Sequence, residues 1–328
     1  MDGVLCVCVR MPCVLRYTGV IHLFSILMKK FLINCMMFGV PVVAVVIVCY
    51  LFAPVNPNNY LAEINHKLHL LDSVEGRRMI FVGGSNVAFG VDSHAIADSL
   101  GMKVINTGLH AGLGLKYQLE SVVGNLKEGD VLVIMPEYEQ FYDCFWGVGE
   151  TLGAAIKYSG FRGASNLSIK QWMGVLSAMP SVAYSDYKIK NRVDYRYTSL
   201  NFNSLGDEVA HRGKQRCDKV TINPIAGEID EDAVDFVAGV LRDVKAGGHR
   251  VIMLPPAVIE SKYLMNEEKI AELCRVLSER DTPFEVPPVA HMFPDSCAFD
   301  TEYHLSDSGV RLLTPILVSE LRGLRDDR

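Results

Sequence analysis

The sequence predicts an α/β protein with a three-layer, doubly wound parallel sheet of the flavodoxin-like type, an N-terminal transmembrane helix and a helical insertion. Two observations carry this prediction. From residue 77 onward, short apolar runs alternate with amphipathic helical stretches, as in parallel strands joined by crossover helices. Before them lies one long apolar stretch without Asp, Glu, Lys, Arg or His, which is typical of a membrane span.

The apolar stretch covers residues 31–53 and is long enough to cross a bilayer with some tilt. Lys and Arg lie before it, whereas residues 54–60 carry none. Because cytoplasmic flanks are enriched in basic residues, residues 1–30 are expected in the cytoplasm and the domain outside. We therefore expect a single-pass protein of the bacterial inner (cytoplasmic) membrane with a periplasmic, extracytoplasmic domain. The basic residues before the span are Arg10, Arg16, Lys29 and Lys30.

No Ala-x-Ala cleavage site follows the apolar stretch, so an uncleaved anchor is favoured over a removed signal peptide. Met28-Lys29-Lys30 looks like the usual opening of a bacterial signal-anchor, which raises the alternative that residues 1–27 are an over-extended start.

Charge and cysteine content exclude other classes of protein. The net charge of -6 and pI of about 5.9 give no electrostatic reason to bind nucleic acid. Nine cysteines are present, but their spacing has no CxxC or zinc-ligand pattern, so no metal and no cofactor is expected.

The domain is expected to span residues 77–328, after a linker and stalk at 54–76 whose helix covers residues 60–71. An insertion at about 140–228 interrupts the alternation and is interpreted as a lid or an acceptor-binding cap. The predicted strands are 79–82, 103–106, 131–135, 250–254 and 283–286. The predicted helices are 93–100, 115–126, 149–158, 168–178, 231–245, 267–280 and 307–321.

Reactive residues follow the predicted strands, at the sheet edge where ligands of doubly wound proteins bind. The turn 83–86 (GGSN) leaves Ser85 exposed at the start of a helix, near N–H groups that can stabilise an oxyanion. A helix cap or a phosphate loop is the alternative, but the Walker and dinucleotide patterns are absent. The glycines of segment 106–112 (NTGLHAG) permit close approach of a ligand to the backbone, although a flexible turn fits equally well.

The third reactive segment, residues 300–306, contains His304 with an acid four residues before it. A single histidine is more often structural. At the same edge as an exposed serine, however, Asp300 and His304 have the composition of a general base and its orienting carboxylate.

These three blocks resemble the first, second and last sequence blocks of the SGNH/GDSL hydrolase superfamily. With its anchor, the chain is similar to membrane-anchored SGNH proteins of cell-envelope polysaccharide O-acylation and D-alanylation. The resemblance, over residues 77–322, implies that Ser85 is the nucleophile and His304 the general base. It also implies an oxyanion hole formed by Gly108 or Gly112 with the backbone of Asn86.

The chain departs from this family at two positions. The family's acid stands three residues before the histidine, where this chain has Thr301, so Asp300 or Glu302 must substitute. A helical turn favours Asp300, since residues four apart share a face, whereas an extended loop favours Glu302. The family's Gly-x-Asn after the third strand is replaced by residues 136–139 (PEYE), so its side-chain oxyanion donor is missing.

The sequence therefore predicts a membrane-anchored serine acyl-ester enzyme, an O-acyltransferase or esterase, acting on a cell-envelope glycan. Its partners would be an acyl donor and the glycan acceptor, and the resemblance implies a membrane partner that exports acyl groups. Glu137 and Tyr138 are candidate substrate contacts. The alternative is a catalytically weakened SGNH-like scaffold that binds glycan or organises a polysaccharide-modification or export complex. Tyr184, Tyr187, Tyr195 and Tyr197 are predicted either to stack on carbohydrate or to pack the insertion internally.

Overall fold

A computed structural model of the chain describes residues 13–189 and 196–326. The chain divides into two compact units, Met1–Phe52 and Ala53–Arg328. The described residues of the first unit form helix α1 (Cys13–Phe52). Among the described residues, one helical segment, His22–Phe52, is long and apolar enough to cross a membrane, and its large side chains, such as Phe38, are exposed. The predicted apolar span thus lies within a longer helix.

The second unit contains a parallel four-stranded sheet, which confirms the predicted α/β class. Its strands have the order β2-β1-β3-β4. Chain order reverses between β1 and β3, which is the position where doubly wound folds bind ligands. The strands are β1 (Arg78–Gly83), β2 (Lys103–Asn106), β3 (Val131–Met135) and β4 (Arg250–Met253).

Helices connect the strands and cover the sheet. Met79 and Phe81 of β1 pack into one apolar cluster with α4 and α11. Helices α5 and α8 contact each other, and they pack on β1 and β4, respectively. The helices of this layered core are α3 (Ser85–Gly90), α4 (Ser93–Leu100), α5 (Leu115–Val123), α8 (Glu231–Ala246), α10 (Glu267–Glu279) and α11 (Asp307–Asp326).

The predicted fifth strand at 283–286 is wrong. One backbone hydrogen bond joins Glu285 N to Met253 O (2.8 Å), but the segment has no strand pairing. Pro283, Pro287 and Pro288 lack the N–H donors that a ladder needs. A short parallel pair forms elsewhere, between β5 (Val258–Ile259) and β6 (Met292–Phe293), and α9 (Glu260–Met265) follows β5.

The stalk and the insertion pack on the sheet unit. The stalk forms a turn at Tyr60–Glu63 and helix α2 (Ile64–Ser73). The insertion contributes α6 (Gly149–Ala164) and α7 (Ile169–Ile189). Its later part is held to the sheet by buried Asp207, which accepts hydrogen bonds from Ser93 N (3.0 Å) and Asn106 Nδ2 (2.8 Å). Asn106, at the end of β2, is therefore a structural residue.

Candidate active site

The candidate site lies at the carboxyl ends of β1 and β3, where the strand order reverses. Gly83 and Met135 are paired in register at these ends, so the turns that follow them are neighbours. The turn after β1 leads to Ser85, and the turn after β3 leads to Glu137. Two residues 52 positions apart in sequence are thereby brought into contact.

Gly84 permits this contact. A Cβ atom at residue 84 would lie 2.4 Å from Glu137 Oε1 and 3.2 Å from Ala111 Cα. The first separation is too short for a Cβ atom and the second is tight, so the carboxyl group of Glu137 can take this position beside the serine turn because residue 84 has no Cβ. The glycine predicted to shape a sharp turn here also makes room for an acid.

The Glu137 carboxyl group is hydrogen-bonded to the start of α3. Its Oε1 accepts from Ser85 Oγ (3.0 Å) and from the backbone N–H of Asn86 (3.1 Å). The side chain is 6% exposed. Burial, together with repulsion from Glu139, raises the pKa of Glu137 to about 7 against the hydrogen bonds from Asn86 and Ser85. Glu137 is therefore an acid that titrates near neutral pH beside the proposed nucleophile.

Asp300, His304 and Tyr197 form a second hydrogen-bonded group. Asp300 Oδ1 lies 2.8 Å from His304 Nδ1, and Tyr197 donates to Asp300 Oδ2 at 2.5 Å. Burial opposes ionisation of Asp300, but the hydrogen bonds from His304 and Tyr197 outweigh it and lower the pKa of Asp300. Binding of Nδ1 by the carboxylate leaves Nε2 as the imidazole nitrogen that can take a proton from a hydroxyl.

The loop around His304 is closed by its own backbone. Phe299 N donates to His304 O (2.7 Å), and His304 N donates to Thr301 Oγ1 (3.3 Å). Thr301, at the position where the resembled family has its acid, thus supports the loop. Closing the turn in this way leaves Asp300, four residues back, beside the imidazole.

Glu302 has different partners. Its Oε1 accepts from the backbone N–H of Asn223 (3.3 Å) and lies 3.6 Å from Lys262 Nζ. Lys262 is also paired with Glu139. The structure therefore brings Asp300 to His304 and directs Glu302 toward a buried lysine.

His304 and Ser85 line the same cavity but are not hydrogen-bonded to each other among the described contacts. The imidazole stacks on Phe89 with ring centroids 4.0 Å apart and planes at 7°. Phe89 lies one helical turn after Ser85 on α3, so the stacking holds the imidazole beside the helix that carries the serine. Catalytic hydrogen bonds are often long before substrate binds.

The backbone donors predicted for the oxyanion hole have internal partners. Gly108 N donates to Asn106 Oδ1 (2.9 Å), Gly112 N donates to His110 Nδ1 (2.9 Å), and Asn86 N donates to Glu137. Among the described residues, the backbone N–H of Ser85 has no hydrogen-bond partner. The Ser85 N–H at the start of α3 is therefore an unoccupied donor beside the serine hydroxyl.

Tyr138 lies in the core, away from the cavity. Its side chain is buried and packs against Phe284, so the structure does not bring Tyr138 to the cavity that Ser85 and His304 line. Tyr184 and Tyr187 are exposed on α7 and do not line the cavity, whereas Tyr197 does. Tyr195 lies outside the described residues.

The cavity has a volume of about 730 Å³ and is rich in acidic side chains. His110 lines it with Nδ1 accepting a backbone hydrogen bond, so neutral His110 carries its proton on Nε2. Burial and the nearby His304 lower the pKa of His110. The ionisable residues lining the cavity are His110, Glu137, Glu139, Asp143, Cys144, Tyr60, Tyr197, Glu302, Tyr303 and His304.

No sequence pattern indicates a role for His110, Glu139 or Lys262. His110 lies in segment 106–112, which is notable in the sequence for its glycines. A histidine soon after the end of a strand is the signal that could have identified it as a site residue. Lys262 carries no such signal, because its pairing with Glu139 spans 123 residues. Among the described residues, no cluster of three or more His, Cys, Asp or Glu side chains is arranged to hold a metal ion.

Comparison of the chain with protein-family models, curated proteins and solved structures finds no match. The site must therefore be interpreted from its own geometry.

Proposed function

We propose that the protein is a serine acyl-ester enzyme, an O-acyltransferase or esterase, that acts on a cell-envelope glycan. One observation carries the proposal. Ser85, at the start of a helix, and His304, bound to Asp300 through Nδ1, line one cavity at the switch point of the sheet. A nucleophile and an oriented base are the two groups that covalent acyl transfer requires.

In this reaction Ser85 Oγ attacks the ester carbonyl carbon, and its proton passes to Nε2 of His304. Asp300 stabilises the imidazolium that forms. When the tetrahedral intermediate collapses, the bond to the leaving oxygen breaks and His304 returns the proton to that oxygen. An acceptor hydroxyl or water then attacks the acyl-serine, with His304 again taking the proton, and Ser85 is regenerated.

The charge of the cavity favours acyl over phosphoryl substrates. Glu137, Glu139, Asp143 and Glu302 line it, whereas Lys and Arg are missing from its lining within the described part of the chain. Phosphoryl groups and anionic acyl groups would be repelled there, since phosphate sites depend on Arg, Lys or metal ions. A neutral ester and the hydroxyls of a glycan fit these acceptor-rich walls.

A scaffold that binds glycan without turnover is the second candidate, and one observation favours it. The Ser85 hydroxyl donates to Glu137, and the predicted donors Gly108, Gly112 and Asn86 are already occupied. On this interpretation the cavity binds a sugar, and the serine does not react.

Labelling with a fluorophosphonate probe tests the two candidates. The probe forms a bond between Ser85 Oγ and phosphorus, fluoride leaves, and the serine proton goes to His304. We expect the full chain in detergent to be labelled, and Ser85→Ala or His304→Ala to lose at least about a hundredfold in labelling rate. Ser278→Ala, an exposed serine on α10, is the matched control and should label like the wild type.

Equal labelling of the wild type and Ser85→Ala would exclude the serine mechanism. The absence of labelling in every variant, with glycan binding retained, would establish the scaffold.

A further inference from the structure

The carboxyl group of Glu137 lies beside the proposed nucleophile, Ser85. Its Oε1 accepts hydrogen bonds from the hydroxyl of Ser85 and from the backbone N–H of Asn86. The Glu137 side chain also forms a capping box with Gln140 in the turn after β3. Because Glu137 lines the cavity, its carboxyl group can contact a group bound there.

The surroundings of Glu137 oppose a negative charge on it. The side chain is buried, and carboxylates of Glu139 and Glu302 lie near it and raise its pKa. The buried cation Lys262 is paired with those two acids. The other titratable groups that line the cavity around Glu137 are Tyr60, His110, Asp143, Cys144, Tyr197, Tyr303 and His304.

Negative charge on Glu137 would also oppose the reaction. The tetrahedral intermediate at Ser85 carries an oxyanion, and two like charges about 4 Å apart at an effective dielectric of about 20 slow the step by roughly a thousandfold. A neutral carboxylic acid at the same place has an O–H donor. Preorganised donors directed at the oxyanion accelerate acyl transfer by about a hundred- to a thousandfold.

We propose that Glu137 acts as a carboxylic acid that donates a hydrogen bond to the oxyanion formed at Ser85, and that its ionisation inactivates the site. The Ser85 N–H is the second donor. The proton of the serine hydroxyl passes to His304, and Glu137 keeps its own proton throughout the step. This inference rests on the proposed function, because it requires Ser85 to react.

The test is the rate of Ser85 phosphonylation by a fluorophosphonate probe between about pH 5 and 9. It uses the full chain in detergent, as wild type, Glu137→Gln and Glu137→Ala. In the wild type the rate should fall about tenfold per pH unit above the pKa of about 7. Glu137→Gln keeps an N–H donor that does not ionise. It should label at about a tenth of the wild-type rate or better near pH 6 and hold its rate to pH 9, whereas Glu137→Ala should lose about a hundredfold or more near pH 6.

Two results would overturn the inference. If Glu137→Gln is as inactive as Glu137→Ala at every pH, Glu137 serves as a base. If Glu137→Gln shows the alkaline decline of the wild type, the decline belongs to another group. Ser85→Ala separates this inference from the proposed function, since unchanged labelling of that variant would remove the serine mechanism itself.

A spectroscopic measurement keeps the test independent of folding in the variants. The infrared C=O stretch of a protonated carboxyl group should be present in the wild type at pH 6, disappear on titration through pH 7, and be missing from Glu137→Gln. A wild-type spectrum without that band at pH 6 would also overturn the inference.

Discussion

The orientation of His304 depends on one short carboxylate contact, that between its Nδ1 and Asp300 Oδ1 at 2.8 Å. Asp300→Asn keeps the shape of the side chain but removes the charge that fixes the imidazole tautomer. We expect turnover of an ester substrate to fall by about ten-thousandfold. Glu302→Gln is the matched control and should have a much smaller effect, because Glu302 contacts Asn223 and Lys262 instead.

The reverse result, with turnover lost in Glu302→Gln and kept in Asp300→Asn, would assign the orienting role to Glu302. If neither change matters, Ser85 and His304 act without an orienting acid.

The raised pKa of Glu137 makes the stability of the domain depend on pH. Its folded-state pKa of about 7 lies above the unfolded value of about 4.3, so the folded state favours the protonated form. This contribution is fully present below about pH 4 and is lost as the pH rises through 7. Relative to Glu137→Gln, which does not titrate, the wild type should lose roughly 2–3 kcal/mol between about pH 5 and 8.

Urea unfolding of the solubilised full chain at several pH values, followed by fluorescence of Trp146 and Trp172, measures this difference. A stability difference between the two proteins that does not change with pH would contradict the assigned pKa.

At the scale of secondary-structure elements, a buried ion pair fixes the end of the sheet opposite the site. Arg78 at the start of β1 is 0% exposed and donates from Nε to Asp130 Oδ1 (3.0 Å) and from Nη1 to Leu71 O (2.5 Å). It therefore joins β1, the turn before β3 and helix α2. Asp130→Ala would leave a buried guanidinium without its counterion and should cost about 3–5 kcal/mol of unfolding free energy.

The exposed pair Arg275–Glu279 on α10 provides the control. Glu279→Ala should change the unfolding free energy by no more than about 0.5 kcal/mol. Similar losses of unfolding free energy in the two variants would show that burial of the Arg78 ion pair does not increase its contribution to stability.

At the scale of the whole molecule, the positions of Lys29 and Lys30 before the uncharged span predict that the domain lies outside the cytoplasm. Protease added to cells with a permeabilised outer barrier should digest residues 54–328 while a cytoplasmic marker protein stays intact. Protection of the domain until the inner membrane is lysed would overturn this orientation. It would also remove the envelope glycan as substrate.

Local patterns in the sequence were sufficient to predict most of the helices and strands, and they indicated the candidate nucleophile and base. The periodicity of apolar residues and the short apolar runs predicted four of the strands and the helices around them, because buried positions recur at regular intervals along a helix or strand. The apolar span could be predicted because its hydrophobic residues are contiguous in the sequence. Ser85 and His304 were predicted from their positions in turns after strands or before a helix. The prediction of a fifth strand was wrong because its prolines lack the backbone N–H donors that strand pairing needs. This local signal was present in residues 283–288.

The surroundings of Ser85 and His304 depend on the folded arrangement of the chain. The contact of Glu137 with Ser85 depends on the register of β1 against β3 and on the missing Cβ of Gly84. The pKa of Glu137 depends on carboxylates that other loops bring near it. The sequence shows that an acid stands after β3, but its charge state is set by burial and by neighbours distant in the chain. The burial of Glu137 and the identity of its charged neighbours are determined by the folded arrangement of those loops.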